Sequence, residues 1–248
     1  MRAETRHQLK QDRLQKATEE TVHWAVEHRS KVITVGTAVV ILALVIGGAW
    51  FYLSSRDRQA SAELAKAIRT YSLPIRPAGV PDIPGSPSFA SAGERAKAAH
   101  SQFQAIADKY AHTRNGQIAE YFSALTARDM GDMSAAENGL KEIADSRNRD
   151  LSSLAKMALA SIYRDSKRET QAIELYRQLI DKPSNTVPKA AAQLELADLY
   201  ESRQQTADAR RIYEQIQKDN PTSEAAQKAT ERIREIVKQN PPPPPARQ

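Results

Sequence analysis

Residues 32–53 form an unbroken apolar run, VITVGTAVVILALVIGGAWFYL, without one ionisable side chain. A helix of this length rises about 33 Å, enough to cross the ~30 Å hydrocarbon core of a bilayer. Trp50, Phe51 and Tyr52 stand at its C-terminal end, where aromatic rings favour the level of the lipid headgroups. The pattern predicts a transmembrane helix over 32–53.

Two alternatives for this run are a buried core helix and a removed signal peptide. Core helices usually show shorter apolar runs and a polar stripe. A cleavage pattern exists at Ala60-Ser61-Ala62, but the charged residues 56–58 precede it. The apolar run also exceeds the ~7–15 residues of a signal peptide. We therefore interpret 32–53 as a retained anchor.

The orientation of this anchor rests on the positive charges that flank it. Four Lys or Arg lie within twenty residues on each side, so the local count is a tie. The short segment 1–31 holds seven Lys and Arg in all, which favours a cytoplasmic N-terminus. The chain would then be single-pass in the cytoplasmic (inner) membrane, with its C-terminal part outside the cytoplasm.

Composition changes divide the chain further. Five prolines and two glycines lie between residues 73 and 91, which excludes continuous helix there. The predicted segments are a polar tail over 1–31, the span over 32–53, a helical stalk over 54–72, a Pro/Gly/Ser-rich linker over 73–91 that spaces the next domain from the membrane, a repeat domain with a C-terminal capping helix over 92–240, and a disordered Pro-rich tail over 241–248.

The segment beyond Gly93 repeats itself. The tetratricopeptide pattern of ~34 residues has a small residue at position 8, an aromatic at 11, Ala at 20 and a large side chain at 24. Copies starting near 117, 153 and 190 place the following residues in that register: Ala124, Ala127, Ala136, Leu140 and Ile143; Leu159, Ala160, Tyr163, Ala172, Tyr176 and Leu179; and Leu196, Ala197, Tyr200, Ala209, Tyr213 and Ile216.

Two flanking stretches complete the repeat array. Ala99, Phe103 and Ile106 match the second helix of a repeat, which predicts a degenerate or half repeat upstream. Downstream, one apolar stripe from Ala226 to Val237 with a polar opposite side predicts a capping helix. The predicted fold is all-α: a single transmembrane helix followed by a tetratricopeptide-repeat α-solenoid.

Composition and charge support binding rather than catalysis. Aromatics are 6% of the 248 residues and Gly numbers nine, which favours helices over sheet. The net charge of +6 is spread without a dense basic run, so no nucleic-acid groove is indicated. Without Cys there is no thiolate site, and His23 and His28 lie on different helix faces. We predict a non-enzyme that needs no cofactor and no metal.

Repeat solenoids line a concave face with their first helices, chiefly at positions 2, 5, 9 and 12. The predicted groove is apolar in its N-terminal half and charged at one edge, which suits apolar segments of another protein. Packing against the next repeat is the alternative for each side chain. The groove residues are Ile118, Tyr121, Leu125, Arg128, Leu154, Met157, Ser161, Arg164, Leu194 and Asp198, with Ala191 and Glu201 at the remaining positions.

Positions 5 and 9 also test one known mode of recognition. Chaperone-binding tetratricopeptide domains that grip a C-terminal carboxylate place Lys and Asn at those positions. Here position 5 holds Tyr121, Met157 and Leu194. The mismatch argues against a cytosolic heat-shock co-chaperone.

The layout resembles the bacterial ancillary SecYEG translocon subunit family. The tail TRHQLKQDR, followed by HWAVEHRSKVI leading into the span, resembles the polar leader of such anchored proteins. FQAIADKYAHTRNGQIAEYFSALTARDMGDMSAA resembles the family's first repeat unit. DNPTSEAAQKATERIREI is also similar to periplasmic repeat proteins of the Tol–Pal division coordinator and outer-membrane assembly types.

This resemblance implies a repeat domain outside the cytoplasmic membrane and no catalytic residues. The implied partners are translocon components, periplasmic chaperones or client segments, with membrane lipid around the one helix. An envelope-assembly or cell-division scaffold is the alternative function. A third hypothesis is a regulator that uses the tail 1–31 as its effector.

Overall fold

The structure is a computed structural model and describes residues 28–81 and 84–239, apart from the side chains of Val32 and Gln239. The predictions for residues 1–27 and 240–248 lie outside this range. The described residues contain nine α-helices: α1 Arg29–Tyr71, α2 Ala92–Lys109, α3 Arg114–Asp129, α4 Met133–Ala144, α5 Arg149–Asp165, α6 Glu169–Asp181, α7 Lys189–Ser202, α8 Thr206–Asp219 and α9 Glu224–Gln239.

The contacts divide the chain into two compact units, Met1–Ser55 and Arg56–Gln248. In the first unit, the apolar residues of α1 are exposed, including Leu44 at 70% and Trp50 at 71%. α1 is the one helix in the described ranges that is long and apolar enough to cross a membrane, by length and composition. It is a candidate span.

The second unit begins with the C-terminal half of α1. Ala60, Leu64 and Ala67 are buried in one cluster with Ala99 and Phe103 of α2. This half of α1 is therefore the first helix of a helix pair, and α2 is the second. The segment 54–72, predicted as a helical stalk, is helical up to Tyr71, and one side of it packs in the core of the repeat unit. Ala99, in the predicted degenerate or half repeat, lies on the second helix of this pair.

Residues 72–91 connect the two helices of this first pair. The Arg76 N–H donates to the Phe89 carbonyl at 2.7 Å, and the Phe89 N–H donates to the Pro74 carbonyl at 3.0 Å. The Arg95 side chain of α2 donates to the Leu73 carbonyl at 3.1 Å. The chain thus returns to the helix it left. The segment 73–91, predicted as a Pro/Gly/Ser-rich linker, lies between the two helices of this pair.

The remaining helices form three further pairs and a cap: α3 with α4, α5 with α6, α7 with α8, and α9 on the end. The residues that share the repeat register fill the core, and Ala136, Tyr176 and Tyr213 are fully buried. Ala at positions 8 and 20 lets the paired backbones approach while the large side chains fill the space between pairs. The predicted all-α repeat fold is confirmed.

The turns inside these pairs share one backbone conformation. Gly131, Lys167 and Gln204 occupy equivalent places and all have positive φ, at 86°, 60° and 60°. A left-handed residue ends the first helix and redirects the chain into the second. Side-chain caps then begin the next helix in some pairs, as where Asp132 accepts from the Ala135 N–H at 3.0 Å.

Ion pairs join neighbouring helix pairs. Arg168 donates to both carboxylate oxygens of Glu137, at 3.0 and 2.7 Å, and stands over the Tyr163 ring at 4.4 Å. Lys141 reaches the same carboxylate at 2.7 Å. The hydrogen bonds from Arg168 and then Lys141 lower the pKa of Glu137 to about 2. A bidentate contact of this kind links α4 to the turn between α5 and α6.

We predict that Glu137→Gln changes the acid stability of the second unit. A carboxyl whose folded pKa is lowered contributes stability above its unfolded pKa, and that contribution is lost as the pH falls from about 5 to 2. The variant should lose about 1 kcal/mol at pH 7, a value that allows for solvent screening. Urea unfolding at pH 7 and pH 3 measures the difference, which should shrink at pH 3.

Glu214→Gln is the matched control for this prediction. Glu214 pairs with Arg210 on the same helix, and both side chains are about half exposed. Exposed pairs of this spacing contribute only about 0.3–0.5 kcal/mol. If the two variants lose the same stability, or if the Glu137→Gln difference persists unchanged at pH 3, the linkage between Glu137 and the fold is wrong.

Candidate protein-binding groove

The first helices of the four pairs lie side by side. The N–H of Asn115 on α3 donates to the Asp57 carboxylate of α1 at 2.9 Å. α3 also contacts α5 directly, and Arg164 on α5 pairs with Glu195 on α7 at 2.7 Å. Because the first helices line the concave face of such a solenoid, this row forms the candidate groove.

The ten predicted groove residues lie on α3, α5 and α7. Nine of them are half-buried, and Asp198 is exposed. None is fully covered by the fold, so each retains some surface for a partner. The side chains that contact these residues differ from helix to helix, however. The apolar residues on α3 are therefore described separately from those on α5 and α7.

The N-terminal part is an aromatic and aliphatic surface on α3. Ile118, Tyr121 and Leu125 are half-buried and pack against the main core cluster from its edge. We call these three residues the α3 patch. Their spacing of three and four residues places them on one side of the helix. Their incomplete burial leaves apolar surface that a partner could cover.

Two aromatic residues beside the α3 patch were not predicted as site residues. Tyr71, at the end of α1, lies edge-on to Phe122 with ring centroids 6.4 Å apart. Phe122 in turn lies edge-on to Tyr121 at 5.6 Å. Such edge-to-face pairs add about 0.5–1.5 kcal/mol each beyond their burial. Tyr71 was not predicted because its segment, 54–72, was interpreted as a stalk outside the repeats. Phe122 was not predicted because it lies between positions 5 and 9 of the repeat pattern, which define the groove.

The hydroxyls of this aromatic group are held neutral. Burial, followed by its hydrogen bond to Asp129, raises the pKa of Tyr71 to about 12. Burial also raises the pKa of Tyr121. Both phenols therefore remain protonated through the physiological range, and the Tyr71 hydroxyl donates a hydrogen bond to the Asp129 carboxylate. The surface offers rings rather than charge.

The charged members of the predicted groove are already engaged. Arg128 contacts the neighbouring Asp129 at 3.0 Å, and Arg164 pairs with Glu195 at 2.7 Å. Asp198 accepts a hydrogen bond from the buried Tyr213 hydroxyl at 2.6 Å. The Arg164 contact joins two neighbouring pairs and the Asp198 contact joins the two helices of one pair, whereas the Arg128 contact stays within α3. Two members of the predicted charged edge thus also connect helices of the solenoid.

Leu154 and Met157 on α5 form a junction between repeats. Both pack from the edge against a buried cluster of Leu179, Val187 and Ala192. Leu194 similarly packs against the cluster around Tyr213. The packing of Leu154, Met157 and Leu194 therefore agrees with the alternative stated for the groove residues, in which a side chain packs against the neighbouring repeat. Like Ile118, Tyr121 and Leu125 of the α3 patch, these three side chains are half-buried.

The chemistry of the groove follows from the side chains that line it. Over residues 28–81 and 84–239, no three His, Asp or Glu side chains converge as a metal site. The α3 patch holds aliphatic and aromatic groups, which gain free energy by leaving water. The side chains are thus suited to recognising an apolar segment.

Comparison with known proteins gives a family and a fold. Residues 23–232 match the tetratricopeptide repeat-like domain family. A search of curated proteins found no match to the chain.

Among solved structures, the chain is similar to nearly identical TPR-like repeats from Podosopora anserina, in a protein named as a kinesin light chain. A variant of those repeats is 14% identical to this chain. The similarity covers 73% of this chain and 86% of that one, with a TM-score of 0.53. The unmodified form of those repeats is 15% identical over 74% and 98% of the two chains, with a TM-score of 0.48.

Proposed function

Because the chain belongs to the tetratricopeptide repeat-like domain family, we propose that it is a non-catalytic scaffold anchored in a membrane by the apolar half of α1. Domains of this fold commonly act by binding other proteins along the solenoid. The α3 patch is the surface that would hold an apolar segment of the partner. Tethering would raise the effective concentration of the groove for partners at the same membrane.

The observation that carries the binding role is the exposure of the α3 patch on the row of first helices. Ile118, Tyr121 and Leu125 bury only part of their apolar surface within the chain. Covering the remainder with a partner would contribute about 25 cal/mol per Å² of apolar area. An extended or helical apolar segment has the shape to follow such a groove.

The anchor is supported by the exposure of the apolar part of α1. Side chains from Ile33 to Leu53 that would be costly in water have no protein cover within the described residues. A helix satisfies its own backbone hydrogen bonds in lipid, so a single span is a stable solution. The surplus of Lys and Arg in residues 1–31 favours a cytoplasmic N-terminus and an extracytoplasmic repeat unit.

At finer detail, we propose an accessory factor of the Sec translocon that binds translocon components, periplasmic chaperones or client segments. The support is the resemblance of the anchor and first repeat to the ancillary SecYEG translocon subunit family. The alternative is an envelope-assembly or cell-division scaffold of the Tol–Pal coordinator type, which the C-terminal segment 219–236 supports. Deletion of the gene separates them: secretion stress indicates the first, and chaining or outer-membrane leakage the second.

Crosslinking from the groove in living cells tests the proposal. A photoreactive residue at Tyr121 or Leu125 should capture envelope proteins, because these side chains lie where a bound segment would pass. Asn138, exposed on the second helix α4, is the matched control and should capture at least about tenfold less, the ratio expected if α3 forms the specific contact. Mass spectrometry identifies the partners.

Recovery of only cytosolic proteins from Tyr121 would contradict the extracytoplasmic placement. Equal capture from Tyr121 and Asn138 would contradict the groove as the binding surface. The chain should also remain in the membrane fraction after a high-salt wash, and its release by salt alone would contradict the anchor.

A further inference from the structure

A cavity of about 440 Å³ lies between the N-terminal part of α5 and the C-terminal part of α6. Its lining includes the cations Arg149, Lys156 and Lys182, the carboxylate of Asp181, and two serines, Ser152 and Ser153. Three positive groups against one negative group leave a formal charge of +2 around the cavity. Ligand-binding cavities typically have volumes of about 300–1,000 Å³.

The repeat pattern shows which side chain borders this space. Position 4 of a tetratricopeptide repeat is commonly Trp, and none of the three copies has Trp there. In the copy that starts near residue 153, this position is Lys156. Its stem cannot fill the volume of an indole, and its ammonium group brings a charge. The result is an open, basic space inside a helix pair.

The cations around the cavity are available to a ligand. Arg149 donates through one Nη2 atom to the Pro183 carbonyl at 2.7 Å, which fixes the guanidinium while leaving other donors free. Lys156 and Lys182 form no ion pair within the described ranges of the chain. Asp181, although on the same wall, does not neutralise them by direct pairing. The charge of the cavity is therefore uncompensated by the fold.

The two serines shape the wall without competing for the cations. The Ser152 hydroxyl donates to the Ala144 carbonyl at 2.5 Å, and the Ser153 hydroxyl donates to the Arg149 carbonyl at 2.8 Å. Their protons are thus committed to the backbone. The small side chains keep the space open, and the free donors are those of the three cations.

We propose that this cavity binds a phosphate group. A phosphate monoester carries a charge near −2 at neutral pH, which matches the cavity, whereas a single carboxylate would neutralise only half of it. Guanidinium groups bind phosphate in a bidentate manner, and ammonium groups bind it as point charges. The group could belong to a soluble phosphate compound or to a lipid headgroup that ends in a phosphate monoester.

Equilibrium dialysis of the full chain in detergent, with radiolabelled inorganic phosphate at constant ionic strength, tests the proposal. We expect saturable binding of one phosphate per chain. Lys156→Gln should weaken it by about tenfold or more, because it removes a charge-assisted contact. Lys218→Gln is the matched control, since Lys218 is an exposed lysine on α8 outside the cavity, and it should leave the affinity unchanged.

A second variant separates loss of the site from loss of the fold. Lys156→Trp restores the residue common at position 4 and should abolish phosphate binding while the thermal midpoint stays the same or rises. Absence of saturable binding by the unmodified chain would overturn the proposal. Equal weakening by the Lys156→Gln and Lys218→Gln variants, or full binding by the Lys156→Trp variant, would also overturn it.

Competition identifies the source of the phosphate once binding is shown. Glycerol 3-phosphate and a water-soluble short-chain phosphatidic acid are compared as displacers of the label. Equal displacement supports a soluble phosphate compound, because only the shared group is recognised. Displacement at least about tenfold stronger by the phosphatidic acid supports a lipid headgroup. Displacement by neither would contradict a phosphate-monoester site.

Discussion

Phe103→Ala should destabilise the second unit by about 3–5 kcal/mol, the range for removing a fully buried aromatic side chain. Phe103 has no exposed surface, and its ring stacks on Phe122 with centroids 5.1 Å apart. It also meets Tyr71 edge-on at 6.2 Å. The ring thereby joins α1, α2 and α3, and its loss leaves a cavity where three helices meet.

Urea unfolding of the full chain in a fixed detergent, followed by circular dichroism, measures this effect. Phe51→Ala is the matched control, because Phe51 lies on the apolar half of α1 and is 65% exposed. It should leave the unfolding of the second unit unchanged. A loss below about 1 kcal/mol for Phe103→Ala would contradict the packing of α2 against the end of α1.

Gly116→Ala should cost at least about 3 kcal/mol, the upper end of the usual penalty for overpacking. A Cβ atom on Gly116 would stand 1.9 Å from the Tyr110 carbonyl oxygen and 2.6 Å from its carbon. That carbonyl accepts hydrogen bonds from the Thr113 N–H at 2.9 Å and the Thr113 hydroxyl at 3.0 Å. Moving it out of the way would disturb the turn that begins α3.

Gly93→Ala is the matched control for this prediction. Gly93 also lies in the first turn of a helix, but an added Cβ would meet only the Ser91 side chain, at 4.0 Å. It should raise the unfolding free energy by about 0.5 kcal/mol, because alanine loses less backbone entropy on folding. Similar effects of the two substitutions, measured by the same urea unfolding, would contradict the close approach at Tyr110.

The repeat fold could be predicted because alanine and aromatic side chains recur where paired helices touch. Tyr163 and Tyr200 fix the register, and the structure buries the alanines and large side chains that follow from it. The first pair could not be found in this way. Twenty residues separate α1 from α2, so its two helices are not spaced as in the ~34-residue repeat pattern. Ala60, Leu64 and Ala67, spaced by four and three, were the signal for its missing helix.

The repeat pattern assigns the candidate groove to the first helices, but it does not show which of its side chains are already paired. The positions that predicted it specify which way a side chain points, and they do not specify which neighbour it meets. Arg164 and Asp198 therefore look like free charges in the sequence, although the structure pairs them with Glu195 and Tyr213. Lys156 likewise departs visibly from the repeat pattern, but only the packing of α5 and α6 shows the space that results.

The loop inside the first pair has a practical consequence. Backbone hydrogen bonds near Ile75 and Phe89 connect the two ends of this loop. The base of the loop between α1 and α2 is therefore closed independently of the residues at its tip. Gly79 and Gly85 are exposed and adopt positive φ. A fluorescent reporter or an epitope tag inserted at either glycine should therefore leave the solenoid intact.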